Sequence, residues 1–473
     1  MNVLQKRVIK NTFVLFAGSI SAQIIGFFTT VYIARKFGSN LFGTLSFVQA
    51  FVGYFGILTN FGIGTIAVKE VSRDKKLTQE YAGSLILINT IFSLLAFSLL
   101  FTITYFIHFD YFKKWLIILT GLSFFAGTIN VSWVFNAHEK MEYSAILQTI
   151  GSILYLSGIY IVLSKLNSVL VIPIISFICY ILVGIISIGL FIKFFGKLKL
   201  KFDFKYWQNL IISALPLGCS SIMVRIYYNL DTVMLSFMQN DTVVGWYNAS
   251  YKIILMLISL AGFYFNAIFP ILAKQYKTSL ESFQSVLQKS ARIMVILSLP
   301  LGIGGTILAG PIMNCIFGIE YSSGILAFQI LLWAVCIIYI SMVYGNTLIA
   351  CDKQKELFKI VSCAAMTNLI ANFLLIPKFS LYGAAIATVI AEGVAFFLSF
   401  RELSKIVRVP FIKYIPKPLC ASLFMGIVLF FIKNWNVFLL IIIGFVIYFM
   451  ILFLLKDIFI KNLFYRTESK NII

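Results

Sequence analysis

The sequence predicts an all-α integral membrane protein of about 14 transmembrane helices. They fall into two six-helix bundles related by a parallel repeat, with two extra helices at the C-terminal end. Three observations predict this. First, 60% of the 473 residues are hydrophobic and 12% are charged, with a mean hydropathy of +0.97. A soluble domain is about 45–50% apolar and about 25% charged, so an aqueous surface cannot be built from this composition. Second, the apolar runs reach the ~20 residues that a helix needs to cross a bilayer. Barrel strands would instead show alternating segments of ~10 residues. Third, Lys and Arg sort into connections of one parity.

The first span follows Lys6, Arg7 and Lys10 and is about 24 residues long. That is too long for a signal-peptide core, and no Ala-x-Ala exit follows, so it is expected to stay as a helix. The spans then read 11–34, 41–65, 83–107, 115–136, 144–164, 168–192, 209–238, 242–273, 284–309, 321–350, 356–377, 380–400, 414–432 and 436–455. Segments 209–238 and 242–273 exceed one bilayer thickness and should tilt or bend, with Pro216 and Pro270 as candidate kinks.

With the N-terminus inside, inside segments carry 29 Lys and Arg and outside connections carry 7, with Arg225 and Lys252 left within spans. That asymmetry sets the orientation and places both basic tails inside. It also accounts for the net charge of +21 without nucleic acid as a partner. Lys69, Arg73, Lys75 and Lys76 read as an inside loop touching anionic lipid. The seven cysteines form no Cys-x-x-Cys pair and lie mostly in apolar runs, as small buried hydrophobes do. Two histidines, His108 and His138, are too few to suggest a metal site. No phosphate-cradling glycine loop occurs, so no nucleotide or other cofactor is expected, and energy must come from an ion gradient or from consumption of the product. No connection is long enough to hold a catalytic domain, and the chain does not read as an enzyme.

An internal repeat underlies the layout. Gly43 and Gly245 each follow a short outside turn and open a long helix, at an offset of 202. NAHEKMEYSAI at 136 resembles IACDKQKELFKI at 349, aligning Ala137 with Ala350 and Lys140 with Lys353 at an offset of 213. Six spans per copy is an even number, so the copies share orientation. Such halves enclose a cavity and rock to alternate its access. The expected division is an N-terminal bundle over 1–200, a C-terminal bundle over 201–408, and two further helices with a tail over 409–473.

Charge at mid-bilayer costs at least about 2.5–3.5 kcal/mol and marks function or pairing. Arg225 lies about 13 residues from the outside end of its span, Lys252 about 10 residues into its own, and Glu392 about 12. At ~1.5 Å per residue all three fall near the midplane; Asp231 sits closer to the outside. Arg225 and Lys252 suit a diphosphate or an acidic sugar, the first by its fork and the second as a point charge. The four charges also sum to zero, so pairing within the bundle is the competing expectation. Arg225 and Asp231 are six residues apart, about 120° around one helix, and do not pair along it. Tyr227, Tyr228 and Tyr247 are candidates for stacking on sugar rings or for interfacial anchoring. Arg35 and Lys36 form a cationic outer mouth or snorkelling caps. Glu392 is a candidate proton or cation site.

Four segments carry a family resemblance: YIARKFGSNLFGTLSF at 32–47, FGIGTIAVKEVSRDK at 61–75, NLDTVMLSFMQNDTVVGWYNASYKI at 229–253 and NFLLIPKFSLYGAAIATVIAE at 372–392. Their order resembles the O-antigen flippase branch of the multidrug/oligosaccharidyl-lipid/polysaccharide exporter superfamily, over about residues 5–405. The resemblance implies a V-shaped pair of bundles in a bacterial inner membrane. It implies transport of an undecaprenyl-diphosphate-linked oligosaccharide to the periplasmic face, with a polysaccharide polymerase and chain-length proteins as partners. Relatives that flip peptidoglycan precursor line the N-terminal bundle with arginines. Here spans one to four hold no buried charge, and Arg35 is the nearest match. The alternative within the superfamily is a cation-coupled multidrug exporter. Such exporters usually bury an acidic residue in the N-terminal bundle, and none lies in spans one to four.

Overall fold

The computed structural model describes residues 3–200 and 203–457. The described residues are overwhelmingly helical, and no strand occurs among them. In lipid the backbone has no water to bond, so helices that satisfy their own amides are the expected solution. In chain order the helices are α1 (Val3–Gly56), α2 (Ile63–Arg73), α3 (Thr78–Phe106), α4 (Tyr111–Gly121), α5 (Ser123–Thr128), α6 (Trp133–Ala137), α7 (Met141–Lys165), α8 (Val171–Phe195), α9 (Phe204–Met238), α10 (Asp241–Thr278), α11 (Leu280–Ile316), α12 (Ile325–Ala350), α13 (Gln354–Ser404), α14 (Pro416–Ile432) and α15 (Val437–Leu454).

These helices account for the fourteen expected spans. Ten stretches among the described residues are long and apolar enough to cross a bilayer. Two of the ten are double. α1 changes direction at Gly38 (φ 74°) and α13 at Ser380 (φ 52°), each at a border expected between two spans. α9 and α14 complete the set. The protein is therefore a multi-pass membrane protein. Its exposed surface fits lipid: Phe431, Phe438 and Leu454 are each about two-thirds exposed or more.

Two expectations need correction. Span four is not one helix; α4, α5 and α6 follow one another with a break over 129–132. Residues 66–73 are not loop but belong to α2, whose Ile63, Ala67 and Val71 face the core while Lys69 and Arg73 face out. That spacing is one amphipathic stripe, too polar to span and too apolar to stay in solution. Pro216 lies inside α9 and Pro270 inside α10, each helix running on past its proline.

The chain divides into two compact units, residues 1–245 and 246–473. In the first, α1 packs on α7, where a Cβ on Gly18 would strike Ala145. α5 packs on α8, where one on Gly184 would strike Ile129. Small residues let membrane helices approach this closely. In the second, α11, α12 and α13 pack in succession. α14 and α15 seal onto α11 through Met425, Leu429, Leu440, Tyr448 and Leu452, and the Tyr448 hydroxyl donates to the Ile296 carbonyl at 2.6 Å. Arg292 on α11 closes this corner with an ion pair to Asp457 at 2.7 Å.

The internal repeat is visible in the backbone. Lys140 N–H donates to Phe135 and His138 N–H to Val134, closing α6. Lys353 N–H donates to Leu348 and Cys351 N–H to Thr347, closing α12. Every partner is displaced by 213. The left-handed residue of each turn is also equivalent, Glu139 and Asp352, both at φ 58°. One helix-ending motif, with its 6→1 bond over a left-handed residue, thus appears twice.

Candidate functional site

Arg225 is the centre of the site in the first unit. It sits 13 residues from the end of α9 at Met238, roughly 20 Å along the axis at ~1.5 Å per residue. Its Nε makes a long hydrogen bond of 3.4 Å to the Gly53 carbonyl on α1. A Cβ on Gly53 would lie 3.1 Å from the guanidinium, so the missing side chain is what lets Arg225 rest there. The side chain is exposed, and among the described residues no carboxylate forms an ion pair with it. Bare guanidinium in hydrocarbon is costly. Its exposed edge therefore belongs to water or to an anion.

Tyr54, next to Gly53, has a buried hydroxyl with no hydrogen-bond partner among the described residues. It lies near enough to Asp231 and Arg225 to feel both charges. Asp231, 5% exposed, is buried in the same unit. Tyr228 is 39% exposed and meets Tyr227 edge to face, with ring centroids 5.6 Å apart. Arg35 is exposed just before the Gly38 bend. Its neighbour Lys36 donates to the Leu163 carbonyl near the end of α7, which makes it a helix cap.

Lys252 and Glu392 belong to the second unit. Lys252 is half-buried on α10 and makes no hydrogen bond or ion pair among the described residues. Glu392 is half-buried on α13. Among the described residues no ion pair joins Arg225 or Lys252 to an acidic neighbour. Tyr247 is a further correction. It is fully buried and stacks on Tyr251 with centroids 5.7 Å apart, so it is no platform for sugar.

Gly53 and Tyr54 were not legible in the sequence. A glycine and a tyrosine in an apolar helix carry no signal until the facing helix is known. The other cation that sequence reading passed over is Lys113. It is 9% exposed and pairs with Asp241 at 2.8 Å. By sequence it was merely one residue of a short outside connection.

The match to a family model decides the family. The chain matches the model described as polysaccharide biosynthesis protein over residues 8–276, more than half its length. It belongs to that family. A putative O-antigen transporter of Shigella dysenteriae is 25% identical over 400 residues, 81% of this chain and 96% of that protein. A probable flippase of Haloferax volcanii, AglR, is 27% identical over 216 residues; the match takes in 44% of this chain and 45% of the relative's length. Among solved structures, a lipid II flippase, MurJ, in an inward closed conformation superposes with a TM-score of 0.78, covering 95% of this chain and 99% of that one at 17% identity. That last likeness establishes the fold. The family match and the named transporters together bear out the superfamily resemblance read from the four sequence segments.

Proposed function

We propose that this chain is a flippase. It moves an undecaprenyl-diphosphate-linked oligosaccharide, an O-antigen unit or similar repeat, from the cytoplasmic to the periplasmic face of a bacterial inner membrane by alternating access. The observation that carries the reading is Arg225: an exposed guanidinium near mid-span, seated on a glycine, with no acidic partner among the described residues. An arginine's fork matches phosphate oxygens in two places at once. Asp231, Tyr228 and Arg35 belong with Arg225 to the substrate surface of the first unit, and Lys252, with no ion pair among the described residues, supplies a positive charge on the second. Glu392 serves ion coupling. Both termini lie in the cytoplasm, as the charge asymmetry of 29 to 7 supports. The division into 1–200, 201–408 and 409–473 follows the repeat, with α14 and α15 outside it. A polymerase and chain-length proteins receive the product.

The test is deletion with complementation. Loss of the gene should abolish surface polysaccharide and leave lipid-linked units on the inner face. Wild type restores the polymer, and Arg225→Ala, expressed at equal level, does not. Unchanged polysaccharide together with lost dye efflux would replace this reading with drug export.

A further inference from the structure

A connected polar cluster of the first unit lies where α1, α4, α9 and α10 meet. The Lys113 ammonium donates to Asp241 Oδ1 at 2.8 Å and to Ser236 Oγ at 3.2 Å. Ser236 Oγ donates to the same carboxylate oxygen at 2.9 Å, and Thr44 Oγ1 donates to the other at 2.8 Å. The ammonium also sits over the Phe47 ring, 4.5 Å from its centroid, with the Phe109 ring beside it at 5.8 Å. A buried ion pair survives only with its remaining hydrogen bonds filled, and here they are.

Beneath the pair, two backbones touch. A Cβ on Gly43 would overlap the Asp241 carbonyl, and a Cβ on Gly245 would overlap the Ser39 carbonyl. Between them Asn40 Nδ2 donates to Thr242 Oγ1 at 3.0 Å. The repeat offset of 202 relates 43 to 245, 39 to 241 and 40 to 242. The two glycine contacts are therefore mates of each other, and the Asn40–Thr242 bond is its own mate, as in an isologous interface. Two equivalent helix starts meet back to back, through backbone rather than interlocked side chains. The ion pair breaks this symmetry, because the residue equivalent to Asp241 is the uncharged Ser39.

We propose that this cluster is a latch: the glycine clasp parts once per transport cycle, and the Lys113–Asp241 pair sets how much of the time it is closed. This rests on the transport reading above. Contacts made of bare backbone separate without unpacking a core, whereas parting the pair takes both the Lys113 ammonium and the Thr44 hydroxyl from Asp241, leaving it Ser236, and leaves Lys113 with its aromatic faces and no carboxylate. The arrangement is one two-state element with a single strong bias.

Two independent experiments test it. In the first, Asn40→Cys and Thr242→Cys are combined and oxidised in cells. Polymer export should stop and return with reductant. In the second, Val48→Cys, fully buried on α1, is labelled with an impermeant maleimide from outside and read by mass spectrometry of its own peptide. Labelling should rise at least several-fold when Lys113→Met or Asp241→Asn is added. Export at the wild-type rate by the oxidised pair overturns the latch, as does unchanged labelling in folded neutral variants. Should the neutral variants not fold, the disulfide test stands, since neither of its residues belongs to the ion pair. Failure of the flippase reading is separately visible, because the deletion strain would then keep its polysaccharide while the labelling result remains readable.

Discussion

Two cations of the first unit, Lys113 and Arg225, solve the same problem in opposite ways. Lys113 has a carboxylate at 2.8 Å, a serine hydroxyl and two aromatic faces. Arg225 has one carbonyl at 3.4 Å and an exposed edge. The first arrangement is complete and leaves no valence for a ligand. The second is incomplete by design of its surroundings, since Gly53 offers a shelf and no charge. A buried charge is thus informative only with its partners counted. In the sequence, Arg225 drew attention because it lies within a span, and Lys113 did not because it lies in a connection.

The contrast can be broken by experiment, beginning with the largest expected effect. Removing Lys113 leaves the largely buried Asp241 carboxylate, 18% exposed, without its cation. Lys113→Met should cost about 3–5 kcal/mol of stability, seen as a lowered thermal midpoint in detergent. Adding Asp241→Asn should recover most of that loss, because removing both charges of a buried pair is often close to neutral. Arg225→Ala should leave the midpoint nearly unchanged and instead weaken binding of undecaprenyl diphosphate by about 2 kcal/mol or more, roughly 30-fold. If Arg225→Ala melts early and Lys113→Met does not, the two roles have been assigned the wrong way round.

Smaller changes sharpen the Arg225 side. Arg225→Lys keeps the charge and loses the fork, and should bind the same probe about tenfold more weakly than wild type, about 1.4 kcal/mol. Gly53→Ala puts a methyl 3.1 Å from the guanidinium. The side chain is long enough to give way by a few tenths of an ångström. A loss of only a few-fold in binding is expected, with stability intact.

Much of the fold was legible because bilayer physics is one-dimensional: apolar length and loop charge are both local in sequence. The borders at Gly38 and Ser380 fell where two spans had been separated. The repeat was legible at its turns, since a helix-ending motif needs only six residues and recurs at 136 and 349. What failed to show were features made by distant residues. Lys113 and Asp241 are 128 positions apart, and Gly53 gains meaning only from Arg225, 172 positions later. The break in span four also escaped, because its residues are as apolar as those of an unbroken helix. α2 was missed for the opposite reason: its stripe of Ile63, Ala67 and Val71 is diluted by charges that a hydropathy window averages away.

His138 offers a third way for a basic group to meet burial, which is to stay uncharged. Its ring nitrogen shares a hydrogen bond of 2.8 Å with the Thr78 hydroxyl, and Phe195 packs 4.3 Å from the ring centroid. Burial holds its pKa below the ordinary 6.5, and Lys75 and Lys140 add to the depression. The sign follows from proton counting. As pH falls below 6.5 the unfolded chain takes up this proton before the native one does. The native state is therefore at full strength above that value and loses stability beneath it. The thermal midpoint in detergent should drop modestly between pH 7.5 and 5.5, and His138→Gln, which keeps a polar partner for Thr78, should flatten part of that drop. A variant with the same slope as wild type would mean that His138 takes up its proton at the same pH folded and unfolded. The rule drawn from Lys113 and Arg225, that a cation in this unit is either partnered or open to a ligand, would then need a third case.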